Sequence, residues 1–268
     1  YGYQFSLHKI ISASEIPEHN DGMVVFVTHD DFKTDFNSTA NYDVSINIHK
    51  IYGCAMVIHN TKINNIISDV QHVRRRETIA MTPNNSLKLL KELINDELSK
   101  NDVQTKQETQ IVVKCIQENT GSDLKPLIAS SGLSIQYAIL MGFVENALTQ
   151  YPNKPIKIIL PPNCYGGTND QSRRIADLIP IVGIVDLLVD GGQDLVNSLD
   201  KALKLVADID GVPIVLAEIP TNPRVEVPDM VKLGEVLTEK RFTQDNELAV
   251  EPFFMVDQTF CPNVKLLH

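Results

Sequence analysis

Four short segments of this sequence combine residue types that can hold and polarise a ligand. Ser130-Ser131-Gly132-Leu133 closes an apolar approach, Pro126-Leu127-Ile128-Ala129, and leads into a helical pattern from Ser134 to about Leu148. A small-residue turn that opens a helix offers free N–H groups at the positive end of the helix dipole, which suits an anion. The plainer reading is that Gly132 only permits a tight turn. Tyr165 stands after Pro161-Pro162-Asn163-Cys164 and before Gly166-Gly167-Thr168. The glycines let the backbone turn and let a flat group approach the ring; read plainly, Tyr165 is a surface aromatic over a turn. In Glu218-Ile219-Pro220-Thr221-Asn222-Pro223, two prolines shape a loop that presents Asn222 and that is otherwise a rigid β-turn. Asp257 follows Met255-Val256 at the end of an apolar run, where an unpartnered carboxylate is costly. It is either a cap or turn, Asp257-Gln258-Thr259, or a carboxylate placed to hold a cationic ring nitrogen, which needs an anionic partner to stay protonated and act as an electron sink.

The elements that must position these residues alternate from Leu127 onward. Strand patterns at Ile156–Leu160, Ile184–Val189, Pro213–Glu218 and Phe253–Asp257 are separated by helical patterns at Gln171–Ile179, Leu195–Val206 and Met230–Leu237. Pro228 stands near the first turn of the last helix. Apolar residues at 195, 196, 199, 203 and 206 mark one face of a helix. Such alternation implies crossover connections and a mostly parallel sheet, whose ligands collect at the carboxyl ends of the strands. The loops carrying Tyr165, Asn222 and Asp257 fall there. Arg241–Pro252 reads as a polar linker.

The first hundred residues read as an α+β region. Gly22–Thr28 reads as a buried strand, Val44–Ile48 as a half-buried strand, and Cys54–Ile58 as its hairpin partner after a turn at Tyr52-Gly53. Ile63, Ile66, Ile67 and Val70 predict a helix to about Val73. Arg74-Arg75-Arg76 then suits either a solvated helix end or a clamp for phosphate or carboxylate. Thr82-Pro83-Asn84-Asn85-Ser86 caps a helix whose apolar face runs from Leu87 to Leu98. Lys100–Gln107 reads as a flexible joint, and Ile111, Val112, Cys115 and Ile116 as a short helix. The expected division is residues 1–100 and residues 101–268.

Composition narrows the function classes. The 268 residues carry 34 acids against 24 bases, a net charge of −10, which argues against nucleic acid and anionic membrane surfaces as partners. No apolar run approaches a membrane span, and no basic-then-apolar leader opens the sequence. The four cysteines and seven histidines are scattered without metal-ligand spacing, so no metal site is expected, and the cysteines read as reduced thiols of a cytoplasmic protein. Neither a nucleotide phosphate loop nor a hydrolase nucleophile motif is present.

Taken in order, Ser-Ser-Gly-Leu, Tyr-Gly-Gly-Thr, Glu-Ile-Pro-Thr-Asn-Pro and Val-Asp-Gln-Thr-Phe-Cys-Pro resemble the Cys/Met-metabolism family of pyridoxal-phosphate enzymes, from about Leu127 to Asn263. That family includes cystathionine γ-synthase, cystathionine lyases and methionine γ-lyase. The resemblance implies the large domain of fold-type I enzymes, pyridoxal 5′-phosphate as cofactor, a small sulfur-containing amino acid as substrate and a homodimer or homotetramer. It implies that Ser131 and the backbone of Gly132 and Leu133 hold the cofactor phosphate and that Tyr165 stacks on the ring. Asn222 would bond the phenolic oxygen, Asp257 would pair with the ring nitrogen and Thr259 would lie behind the ring. Leu133 and Gln258 replace the family's usual Met and Asn. Arg76 before Thr82-Pro83-Asn84 is a faint echo of the neighbour-subunit phosphate clamp. The family's Schiff-base lysine has no match, because Lys265 is too near Asp257 and in another setting. The expectation is a piece of a longer carbon–sulfur lyase or γ-synthase; the alternative is a non-catalytic relative that keeps the fold as a binding or scaffold module.

Overall fold

The computed structural model describes residues 24–28, 42–49, 53–59, 66–76, 82–93, 105–188, 194–222 and 224–265. The chain divides into two compact units. One comprises Gln4–Thr109 together with Ala129–Ser134; the other comprises Tyr1–Tyr3, Gln110–Ile128 and Ile135–His268.

In the first unit, β1 (Val25–Thr28) pairs parallel to β2 (Val44–His49), and β2 pairs antiparallel with β3 (Gly53–Ile58). The predicted hairpin is present, with His49 opposite Gly53, whose φ of 118° favours glycine; the turn residue Tyr52 lies outside the described residues. The expectation of a buried first strand is corrected: Val25 and Val27 are 41% and 50% exposed. An edge strand covered on one face leaves alternate side chains outside. On β2 the polar Ser45 and Asn47 are buried and Ile46 and Ile48 only half-buried, contrary to the apolar-in pattern. Ser45 Oγ lies 3.0 Å from His59 Nε2, which offsets part of its burial.

Helices α1 (Ile66–Arg76) and α2 (Pro83–Leu93) follow. Thr82 Oγ1 accepts from the Asn85 amide at 3.2 Å, the cap that the turn chemistry predicts. Arg74, Arg75 and Arg76 form the last turn of α1; their clamp reading concerns side chains outside the described residues, as do the predicted helical residues beyond Leu93.

The second unit begins in α3 (Thr105–Thr120). Thr105–Gln107, expected in a flexible joint, are its first turn. Lysine, glutamine and glutamate are good helix formers, so polarity there does not mark a loop. Four strands, β4 (Ile156–Leu160), β5 (Val182–Asp186), β6 (Val212–Glu218) and β7 (Phe253–Asp257), form a wholly parallel sheet in the order β5-β4-β6-β7. β4 and β7 have the predicted bounds; β5 begins two residues early, where its register with β4 pairs Val182 with Ile156.

Helices α4 (Gly132–Gln150), α5 (Gly166–Leu178), α6 (Asp194–Asp208) and α7 (Met230–Thr238) alternate with the strands. Strand periodicity sends successive side chains to opposite faces. Ile156, Ile158, Leu160, Ile214 and Leu216 therefore pack with Leu140 and Val144 of α4 and Ile175 of α5. Ile159, Val215 and Ala217 pack with Leu195, Leu199, Leu203 and Val206 of α6 and Leu233 of α7. This is an α/β fold with a parallel sheet covered by helices on both faces.

Two further expectations are corrected. Helix α5 starts at Gly166 and not at Gln171, so the glycine pair forms its first turn. The roughly 1 kcal/mol that each helical glycine costs is offset by tertiary contacts of the buried Gly167, Thr168, Gln171 and Ser172. Helix α7 starts at Met230 as predicted, with Pro228 directly before its cap Asp229, whose side chain accepts from the Val231 and Lys232 amides. Arg241–Pro252 includes an ordered excursion with Phe242 bridged to Leu248; the half-buried Arg241 donates to Asp200 at 2.9 Å and to Glu239 at 3.0 Å. Among the described residues, no helix is long and apolar enough to cross a membrane.

Candidate functional site

The carboxyl ends of β4, β6 and β7 lie side by side, and each releases one of the loops singled out above. Register pairs Glu218 of β6 with Asp257 of β7. The Ile219 amide donates to the Asp257 carbonyl at 3.0 Å, so this pairing persists one residue past the strand. After β4 the chain turns through Pro161–Cys164, closed by the Cys164 amide on the Pro161 carbonyl, and reaches Tyr165 at the N-cap of α5. The Tyr165 amide donates to Glu218 Oε1 at 2.6 Å, a short charge-assisted bond that ties the α5 entrance to the end of β6. The Tyr165 side chain itself is 46% exposed.

These strand ends enclose a small pocket of about 10 Å³, lined by Gln136, Leu160, Cys164, Thr168, Leu216, Ala217, Glu218, Met255 and Asp257. Its size is near that of a single water. One wall is a buried polar network between α4 and α5: Thr168 Oγ1 donates to Gln136 Oε1 at 3.1 Å, and Gln136 Nε2 donates to Gln171 Oε1 at 3.0 Å. Ser172 Oγ returns a bond to the Thr168 carbonyl. Gln171 and Ser172 are fully buried, so the network fixes α5 against α4 while leaving the Glu218 side of the pocket free of it.

Glu218 is only 7% exposed, and its Oε2 has no hydrogen-bond partner. Burial raises its pKa above the usual glutamate value, and the nearby Asp257 charge adds to this. The Tyr165 and Asn222 amides pull the other way. Cys164 is pushed up to about 12, first by burial and then by the Glu218 charge, so its thiol stays protonated at neutral pH.

Asp257 is half-buried, and its Oδ1 accepts from the Thr259 amide at 2.9 Å and the Thr259 hydroxyl at 2.5 Å. The Asp257-Gln258-Thr259 turn is therefore real, and it orients the carboxylate at the strand end. Asn222 is half-buried in the loop after β6, whose Ile219-Pro220 peptide is cis. The sequence-predicted Tyr165, Asn222, Asp257 and Thr259 thus come together around three adjacent strand ends.

Ser131, Gly132 and Leu133 belong to the first unit and are described there by themselves. Ser131 caps α4: its Oγ accepts from the Ser134 amide at 3.2 Å and lies 2.9 Å from Ser134 Oγ. The space where a Cβ would stand at Gly132 holds nothing within 4 Å, so the turn is open on that side.

In the sequence Glu218 reads only as the start of a loop motif, and nothing assigns a role to Gln136, Thr168 or Gln171. Glu218 carried the same signal as Asp257, a carboxylate closing an apolar run. The three others carried none, because amides and hydroxyls inside a helix read as solvent-facing until the helix packs. Neither the scan against protein-family models nor the search of curated proteins returned a match for this chain.

Proposed function

We propose that this chain is the large-domain core of a fold-type I, pyridoxal-phosphate-dependent enzyme of the Cys/Met-metabolism family. As part of a longer protein it would act as a carbon–sulfur lyase or γ-synthase on a sulfur-containing amino acid. The observation that carries the reading is the meeting of the Tyr165, Asn222 and Asp257 loops at neighbouring carboxyl ends of one parallel sheet. Ligands bind in that position in open α/β sheets.

The residues fit the cofactor in chemical type. The pocket lining has two carboxylates and no lysine, arginine or histidine, which suits an edge that carries a protonated ring nitrogen. Asp257, oriented by Thr259, would keep a proton on that nitrogen. Tyr165 is exposed enough to cover a ring face, and Asn222 would bond the ring's phenolic oxygen. The part of Ser131, Gly132 and Leu133 as phosphate partners rests on the resemblance alone, with the capped and open turn at Gly132 compatible with it. When bound, the cofactor supplies an electron sink for charge developing at the substrate α-carbon. The chain's own contribution is to hold the ring, fix its tilt and keep its nitrogen protonated. Among the described residues, none at these strand ends takes the part of the family's lysine: Lys265 lies exposed in the loop after β7. A homodimer or homotetramer in the cytoplasm belongs to the same proposal.

The test is equilibrium dialysis against pyridoxamine 5′-phosphate, which has no aldehyde to react with surface lysines. Saturable binding is expected, weakened about fivefold in Tyr165→Ala by the loss of roughly 1 kcal/mol of stacking. Absence of saturable binding would sink the reading. A second reading, a binding or scaffold module without this chemistry, is favoured by one observation: Asp257 Oδ1 is satisfied within its own turn by Thr259. It predicts that Asp257→Ala leaves any pyridoxamine 5′-phosphate binding unchanged.

A further inference from the structure

The pocket at the ends of β4, β6 and β7 contains an acceptor that the proposed cofactor contacts leave unused. Glu218 is more than nine-tenths buried, and its Oε2 lacks a hydrogen-bond partner. A buried carboxylate oxygen without a donor is strongly unfavourable. The head group is not free to turn away, because Oε1 is held by the Tyr165 amide at 2.6 Å. The polar neighbours Thr168 and Gln136 direct the donors described above into the α4–α5 network, and the Asn222 amide, which acts to lower the Glu218 pKa, makes no hydrogen bond to Oε2.

We infer that Glu218 Oε2 is a second ligand-binding acceptor beside Asp257, taking a donor from a compact protonated nitrogen group seated in this pocket. Three observations set the chemistry. The lining includes two carboxylates and no cationic side chain. The free volume of about 10 Å³ between these side chains suits a group the size of a water, such as an ammonium or the N–H edge of a ring. Glu218 and Asp257 are register partners on adjacent strands, so a cation between them is attracted by both charges and relieves their mutual repulsion. The titratable groups facing Glu218 are Asp257 on β7 and Cys164 after β4; α4 and α5 face it with the neutral Gln136 and Thr168. The elevated pKa of Glu218 agrees with a carboxylate lacking its counter-charge.

The inference rests on the proposed function only for the ligand's identity, so two probes separate them: pyridoxamine 5′-phosphate and imidazolium chloride. Carbon-13 NMR of the side-chain carboxyls gives the Glu218 titration midpoint, and the Tyr165 amide resonance reports on its hydrogen bond. Either probe is expected to lower the Glu218 midpoint, because a nearby cation favours the charged carboxylate. Glu218→Gln retains an acceptor for Tyr165 and is expected to stay folded by circular dichroism while binding the active probe about tenfold more weakly. If only imidazolium moves Glu218, the cofactor reading fails and the acceptor stands. If pyridoxamine 5′-phosphate binds and depends on Asp257, while the Glu218 midpoint and the Glu218→Gln affinity are unchanged, the acceptor is overturned and the cofactor reading survives. A Glu218 midpoint that neither probe moves also overturns the inference, with an ordered water as the partner of Oε2.

Discussion

At the amino ends of β4, β5 and β6 the connecting backbone turns are hydrogen-bonded and packed, whereas the carboxyl ends of β4, β6 and β7 surround a buried carboxylate oxygen that has no partner. At the amino end, Val212 donates to the Pro155 carbonyl, Ile156 to the Ile181 carbonyl and Gly211 to the Val206 carbonyl, all at 2.8 to 2.9 Å. Ile156 and Val212 are fully buried. A Cβ on Gly211 would stand 2.9 Å from Val206 Cγ1 and 3.0 Å from the Pro155 oxygen, so the position has no room for one. Lys154 and Asp210 close the rim with a 2.6 Å ion pair. At the carboxyl end, Glu218 has an orphaned oxygen, Asp257 stands beside it, and Tyr165 and Phe260 are about half-exposed. Strand β4 thus runs from closed, packed turns at one end to the edge of an orphaned carboxylate oxygen at the other. Uncompensated polar burial lowers stability; among the described residues Asn47 Nδ2 and Arg241 Nε share it with Glu218 Oε2, and of the three only Glu218 lies at the proposed site.

Substitutions at the two ends should separate stability from binding. The largest effect is expected for Ile156→Ala, which removes a fully buried side chain at the sealed end. Urea denaturation followed by circular dichroism should show a loss of about 3 kcal/mol, with affinity for pyridoxamine 5′-phosphate unchanged in the folded protein. Asp257→Ala should do the reverse. Losing one charge-assisted contact of about 2 kcal/mol weakens that affinity roughly thirtyfold, while the urea midpoint barely moves. If Asp257→Ala instead destabilises as Ile156→Ala does and leaves affinity alone, the carboxylate is a structural turn residue and the two ends do not differ in kind.

Gly211→Ala should cost about 1.5 kcal/mol, since the new methyl must displace backbone oxygen as well as a side chain. Binding should be untouched. The smallest effect concerns pH. The folded-state pKa of Glu218 is raised, so ionisation is harder in the fold than in the unfolded chain. Its contribution to stability is therefore fully present below the unfolded value near 4.5 and is lost as pH rises through the folded value. Glu218→Gln should gain stability relative to the parent as pH rises through that window and should show least difference in acid. Parallel denaturation curves for the two proteins across the window would contradict a buried, uncompensated Glu218.

Periodicity and turn chemistry were enough for the elements whose environment is uniform. Strands β4 and β7 have the bounds that their apolar runs predict, and Leu195, Val196, Leu199, Leu203 and Val206 are buried as their helical spacing requires. Thr82 caps its helix because an oxygen there meets a free amide whatever the surroundings. The α/β class and the strand-end positions of Tyr165, Asn222 and Asp257 follow from the same local signals. The tertiary structure alone decided where local preference was outweighed by packing. Helix α5 runs back through two glycines because its first turns are buried and tied to Glu218. Val25 and Val27 are exposed because nothing in a strand's own residues says which of its faces will be covered. Glu218 read as the start of a loop, and only its register beside Asp257 and its burial beneath Tyr165 make it a constrained and unpaired carboxylate, since desolvation is a property of neighbours distant in the chain.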